Sequence, residues 1–245
     1  HWVAFRAMSI SLSGSIVFWA ARRVAAVGLG GLLARALAVV VLAGTLTALA
    51  QAYGVKMEFA ALNRAPGGTF GNRNFMAHLA AIGAPVFVYC VATARSRLRT
   101  GLWIAALAAC AVALVLSRTR AAWLALMVCG VVAAAVAVSG PPLLDAPGTA
   151  RRLRLAMGGV LAGVALALFA PNALDWRSDN PYLESVVGVV NFREGSGKGR
   201  LRQYANSVKM AVAHPLLGVG PGNWPVSYPV FAPSDDPSLA EGTGM

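Results

Sequence analysis

Long apolar runs separated by short basic turns set the pattern of this chain. Five runs approach the roughly 20 residues that a helix needs to cross a hydrocarbon core of about 30 Å. They cover residues 31–53, 75–94, 101–117, 121–139 and 154–171. A weaker stretch, 2–20, contains Arg6 and several serines and fits either a span remnant or an interfacial helix. The pattern predicts an all-α fold: a polytopic transmembrane bundle of about five to six spans over 1–171, then a large, partly helical loop over 172–245. In the last run Gly159 and Gly163 stand at GxxxG spacing, which suits close approach of a neighbouring helix and equally suits ordinary glycine usage in a membrane.

Composition strengthens the membrane reading. Apolar residues make up 58% of the 245 and charged residues 12%, about half the charged share of a soluble domain. Carboxylates are placed still more tellingly. Only Glu58 and Asp145 precede Asn172, so the predicted spans contain none. Ion-coupled transporters usually keep intramembrane carboxylates, which counts against that class. Cys90, Cys110 and Cys129 lie inside apolar runs without a CxxC partner, a pattern unlike a zinc site or a disulfide framework. The chain starts at His1 and ends in a polar stretch, and both ends are read as truncations.

Charge supplies the orientation. Arg22, Arg23 and Arg35 flank the start of the first strong run; Arg95, Arg97 and Arg99 fill the turn before Gly101; Arg151, Arg152 and Arg154 precede the last run. The positive-inside rule puts these alternate basic segments in the cytoplasm, and 54–74, 118–120 and 172–245 outside. Yet the outward side is not poor in cations: it holds Lys56, Arg64, Arg73, Arg118 and Arg120, with more in the long final segment. Long loops escape the rule, whereas the short turn at 117–120 does not. An arginine placed against that preference calls for a polyanionic ligand or for snorkelling to head groups.

Three stretches carry candidate chemistry. In Gly67-Gly68-Thr69-Phe70-Gly71-Asn72-Arg73-Asn74-Phe75, the glycines permit tight turns and Asn72 or Asn74 can cap a helix starting near Phe75. Arg73 would then stand at a helix N-terminus, where backbone N–H groups attract anions. A well-capped re-entry into the membrane explains the same residues, and His78 one turn on suits an interfacial position. In Ser117-Arg118-Thr119-Arg120-Ala121-Ala122-Trp123, residues two apart on one helix point about 200° apart. Arg118 and Arg120 can share a site only if the helix breaks between them.

The third stretch is the densest, Gly199-Arg200 through His214-Pro215-Leu216-Leu217-Gly218-Val219-Gly220-Pro221-Gly222-Asn223-Trp224. Leu201, Tyr204, Ala205, Val208 and Val212 form one apolar stripe, with Arg202, Asn206 and Lys209 off it. Pro215 ends the helix. Arg200 and the glycine turn of Gly218, Gly220 and Gly222 thus stand about 20 Å apart. The Gly195–Arg200 stretch lacks the GxxxxGK[ST] spacing of a phosphate loop, and the glycine turn follows a helix rather than a strand, so neither is a nucleotide motif. Asp235-Asp236 reads as a solvated turn rather than a metal site.

In this order, GTFGNRNF, SRTRAAW and an arginine fifteen residues before the proline of HPLLGVGPGNW resemble the O-antigen ligase and polymerase-like superfamily over about 67–232. The resemblance implies a multi-pass enzyme of the bacterial inner membrane with a large periplasmic loop, covering 172–245 here. It would transfer glycan from an undecaprenyl-diphosphate-linked donor to a hydroxyl of lipid A-core or of another glycan or protein acceptor. It implies a metal-independent, inverting reaction with no cofactor and no nucleic-acid partner. Carried over by position, Arg120 and Arg200 match the family's arginines for the diphosphate, with Arg118 and Arg73 as neighbours. Asn72, Asn74, Gly218, Gly220 and Gly222 are motif residues. His214 is the local candidate base, although the family's more telling histidine belongs to an HN element beyond residue 245. A polymerase or a protein O-oligosaccharyltransferase shares this chemistry, and a flippase for lipid-linked sugars is the alternative from another class.

Overall fold

A computed structural model describes residues 2–55, 65–139, 147–176, 178, 180–190, 195–234, 236 and 239. The expected outward cations Lys56, Arg64, Arg177 and Arg193, and Asp235 of the acidic pair, lie outside these residues. The described residues are mostly helical with no strand, as the apolar pattern predicts. In chain order the helices are α1 (Trp2–Val24), α2 (Gly30–Ala52), α3 (Arg73–Ala92), α4 (Arg97–Ser117), α5 (Arg120–Ser139), α6 (Thr149–Phe169), α7 (Pro181–Val190), α8 (Gly195–Ala213) and the short α9 (Trp224–Ser227). Among the described residues, four helices are long and apolar enough to cross a membrane by length and composition: Ala4–Ala52, Arg73–Ala92, Arg97–Ser117 and Thr149–Phe169.

Two boundaries differ from the sequence reading. No loop separates the weak first run from the second; a π-helical stretch, Ala25–Leu29, follows α1 directly and leads into α2. Arg22 and Arg23 therefore end a helix rather than occupy a turn, because no helix-breaking proline stands between the runs. Likewise Arg97 and Arg99 belong to the first turn of α4, capped by Ser96, whose Oγ accepts from the Arg99 N–H. Arg151, Arg152 and Arg154 fall in the first turns of α6.

The chain forms two compact units, Gly28–Ser185 and a second made of His1–Val27 with Val186–Met245. Within the Gly28–Ser185 unit, α2, α3, α4 and α6 pack around Val41, Met76, Phe87, Leu107, Cys110 and Leu114. Small residues bring these helices close. A Cβ on Gly163 would stand 2.5 Å from the Ala108 carbonyl oxygen, and one on Gly159 2.5 Å from Ile104 Cγ2. The GxxxG spacing in α6 is thus a contact surface for α4. Gly83 of α3 meets Val41 of α2 in the same way.

The two ends of this bundle are built differently. At one end Arg152 donates to the Ala94 carbonyl beyond the end of α3. At the other, the segment after α6 folds back: the Ala173 N–H donates to Ala52 O at 2.8 Å, and Tyr182 Oη to Ala167 O at 2.9 Å. Leu174 and Tyr182 pack there on Ala52, Val112, Leu116 and Ala167. The α3 and α5 starts and the α4 end share that second end, since short connections make successive helices antiparallel.

Candidate functional site

The glycine-rich stretch is fixed by one side chain. Gln51, buried in the last turn of α2, accepts the N–H groups of Gly67 and Gly68 at 2.8 and 3.0 Å through Oε1. A Cβ on Gly68, at φ 51°, would stand 2.7 Å from Thr47 Oγ1 and 2.8 Å from the Ala48 backbone nitrogen. Glycine is therefore required for the turn to lie against α2. Gly68–Phe70 forms a single 3-10 turn that Gly71 ends in the left-handed region. Asn72 then caps α3, its Oδ1 accepting the Asn74 N–H at 2.9 Å. Arg73 is the first residue of α3, as the capping argument requires.

The second motif breaks where the spacing argument needs it to. Helix α4 ends at Ser117, Arg118 takes φ 52° and ψ 28°, and α5 starts at Arg120. Trp123 Nε1 closes the break by donating to Leu114 O at 3.0 Å. Thr119 in the break hydrogen-bonds Asn74: Thr119 Oγ1 donates to Asn74 Oδ1 at 3.1 Å. That bond joins two motifs 45 positions apart. Arg73 and Arg120, the first residues of α3 and α5, flank it in sequence. Two helix N-termini, each opened by an arginine, thus adjoin in a region where the backbone N–H groups also favour anions.

Arg118 reaches Trp176, Glu184 and Ser185. Its Nε donates to Ser185 Oγ at 2.7 Å, its Nη2 to Glu184 Oε2 at 3.1 Å, and its guanidinium lies 5.0 Å from the Trp176 ring centroid. Hydrogen bonds from Ser178 and then Arg118 hold the Glu184 carboxyl below its ordinary range. Burial, followed by Tyr53, pushes the Tyr182 hydroxyl up. Arg118 therefore ties the 176–185 stretch to the end of α4.

The third motif lies in the other unit. Helix α8 ends at Ala213, before Pro215, as expected. Its opening residues, Gly195–Arg200, are helical, which removes the phosphate-loop reading. Arg200 is exposed near the start of α8, and His214 is exposed just beyond its end with its ring edge-on to Phe231 at 6.4 Å. Fourteen residues of helix put them about 21 Å apart. Gly218, Gly220 and Gly222 all have positive φ, at 59°, 87° and 75°. The turn they make brings Trp224 back to α8, where its Nε1 donates to Ser207 Oγ at 2.9 Å.

Sequence reasoning misplaced Asp236. It is 3% exposed, and its Oδ2 accepts from Tyr228 Oη at 2.7 Å and from Asn206 Nδ2 at 3.3 Å. The solvated-turn reading fails because a tyrosine and an asparagine, neither adjacent in sequence, enclose this carboxylate. Only the tyrosine eight residues earlier could have signalled it. Among the described residues no group of three or more His, Cys, Asp and Glu could hold a metal ion.

An all-helical bundle with carboxylate-free apolar helices, in which two helices begin side by side with an arginine each, defines a multi-pass membrane protein. A family model for O-antigen ligase matches residues 104–244, more than half of the chain. The chain belongs to the O-antigen ligase family, whose chemistry is membrane glycosyl transfer from lipid-linked glycan. No curated protein and no solved structure matches it.

Proposed function

We propose that this chain is part of an O-antigen ligase-like enzyme that transfers glycan from an undecaprenyl-diphosphate-linked donor to an acceptor hydroxyl on the periplasmic face. The Asn74–Thr119 hydrogen bond carries the proposal, because it joins two helix starts that each open with an arginine. In the transfer, the acceptor oxygen attacks the anomeric carbon from the face opposite the leaving group and inverts it. The bond from that carbon to the phosphate oxygen breaks, and undecaprenyl diphosphate leaves with the electron pair. Arg120 and Arg73 with the α3 and α5 N-termini stabilise the charge that develops on it, and Arg200 is a second diphosphate candidate by its match to the family's loop arginine. This positive charge does the work that a metal ion does in other phosphate-leaving reactions, so the proposed step is metal-independent.

The hydroxyl proton passes to a base, for which a histidine is suited. His214 is the candidate within this chain. Arg118 is assigned a bracing role, since Glu184 and Ser185 already engage its guanidinium. The positive-inside rule puts the Arg95–Arg99 and Arg151–Arg154 end in the cytoplasm and the Asn74–Thr119 end in the periplasm. Lipid A-core is the proposed acceptor, and the bacterial inner membrane the proposed location.

Direct binding tests the donor assignment. Full-length protein in nanodiscs should bind undecaprenyl diphosphate, and Arg120→Ala should weaken binding at least about tenfold, the loss of one charge-assisted contact. Unchanged affinity in both Arg120→Ala and Arg200→Ala would remove the proposal.

A further inference from the structure

Helix α8 is built inside out. Its apolar stripe of Leu201, Tyr204, Val208 and Val212 should turn inward in a water-soluble segment. Instead Leu201 is 48% and Val212 73% exposed, while Asn206 is 4% exposed. Asn206 and Met210 form the inward face, held by the bonds of Asn206 to Tyr228 and Asp236. The apolar surface also continues past the helix. Leu216 and Leu217, after Pro215, are 93% and 92% exposed.

Charge identifies what meets this surface. Helix α8 carries Lys198, Arg200, Arg202 and Lys209 and no carboxylate. At 100° per residue, Arg200 and Lys209 fall on opposite flanks of the stripe, each about 90° from its centre. An apolar stripe bordered on both sides by cations is the pattern of a helix lying in a bilayer interface, with long basic side chains reaching up to phosphates. A protein partner would need its own acidic rim around an apolar groove, whereas an anionic leaflet supplies both features at once.

We propose that α8 and the Leu216–Leu217 turn are seated in the membrane interface, with the apolar stripe among acyl chains and the flanking cations at lipid phosphates. This seat brings Arg200 to the depth at which the diphosphate of a polyprenyl carrier lies. That consequence rests on the donor reading above; the seating itself does not.

The test reads lipid contact without donor, acceptor or transfer, so its failure is separate from failure of the enzymatic proposal. Val208→Cys and Leu217→Cys are made in full-length protein whose native cysteines are replaced, labelled with an environment-sensitive fluorophore, and placed in nanodiscs of phosphatidylethanolamine with a minority of phosphatidylglycerol. Nitroxides on the acyl chains should quench both probes at least about twofold, and aqueous iodide should quench them little, as for residues at the acyl boundary. Replacing phosphatidylglycerol with neutral lipid should reduce the nitroxide quenching. Iodide quenching without nitroxide quenching would overturn the proposal by showing a water-facing helix. Protection from both quenchers would overturn it by showing a protein cover, whether a partner or a second copy. Should the cysteine-free protein fail to enter the membrane, a photo-crosslinking residue at 208 or 217 in the otherwise native chain decides by the same logic: phospholipid adducts support the seat, and protein adducts or none reject it.

Discussion

Between Gly28 and Ser185 the helices meet through small residues and an apolar core, whereas between 195 and 236 order rests on hydrogen bonds around one carboxylate. In the first region Gly83, Gly159 and Gly163 let backbones touch, and polar bonds appear mainly at the helix ends. In the second, Asn206, Tyr228 and Asp236 are buried beside Met210, and the apolar stripe of Leu201, Tyr204, Val208 and Val212 faces out. Apolar attraction is weak between helices surrounded by lipid, so close packing must hold them. A segment whose apolar face is turned outward must be held from its polar side. The same chain uses both solutions.

Substitutions should separate the two solutions cleanly. The largest effect is expected from Gly163→Val, which drives side-chain atoms into the Ala108 backbone. It should cost about 3 kcal/mol or more and abolish a monodisperse peak in size-exclusion of detergent-solubilised protein. Gly158→Ala, with nothing within 4 Å of its Cβ, should leave the peak intact. Next, Gln51→Leu removes the acceptor of two buried N–H groups. It should destabilise the Gly67–Phe70 turn by about 2–4 kcal/mol, read as a lowered melting temperature.

Asp236→Ala leaves Tyr228 Oη and Asn206 Nδ2 without that acceptor and should cost about 2–3 kcal/mol. Limited proteolysis should then cut within 195–234 while the helices α2, α3, α4 and α6 stay protected. If both regions were cut together, the contrast drawn here would fail. The smallest effect concerns Glu184. Its carboxyl is held below its ordinary range, so its bonds with Arg118 and Ser178 add stability at neutral pH. That contribution is lost as pH falls through the lowered folded value. Hydrogen exchange in 176–185 should therefore quicken at acid pH, and Glu184→Gln should make exchange there nearly pH-independent after correction for intrinsic rates.

Much of this was legible in the chain. Long apolar runs force helices because lipid offers backbone groups no other partner, and proline and asparagine marked ends that local chemistry alone decides, at Pro215 and Asn72. The break at Arg118 followed from requiring two arginines on one side. Partners distant in sequence were not legible: Glu184 for Arg118, Thr119 for Asn74 and Asn206 for Asp236 are brought close only by the fold. The direction of the α8 stripe was equally hidden. Periodicity reveals a face but not which solvent it meets.

The arginines that open the helices at the Asn74–Thr119 junction carry the proposed chemistry. The direct measurement is transfer from an undecaprenyl-diphosphate-linked glycan to lipid A-core by full-length protein in membranes, compared between native enzyme and Arg120→Ala at equal protein level. Loss of one preorganised charge should lower the rate at least about a hundredfold. A variant that transfers at the native rate would contradict the assignment.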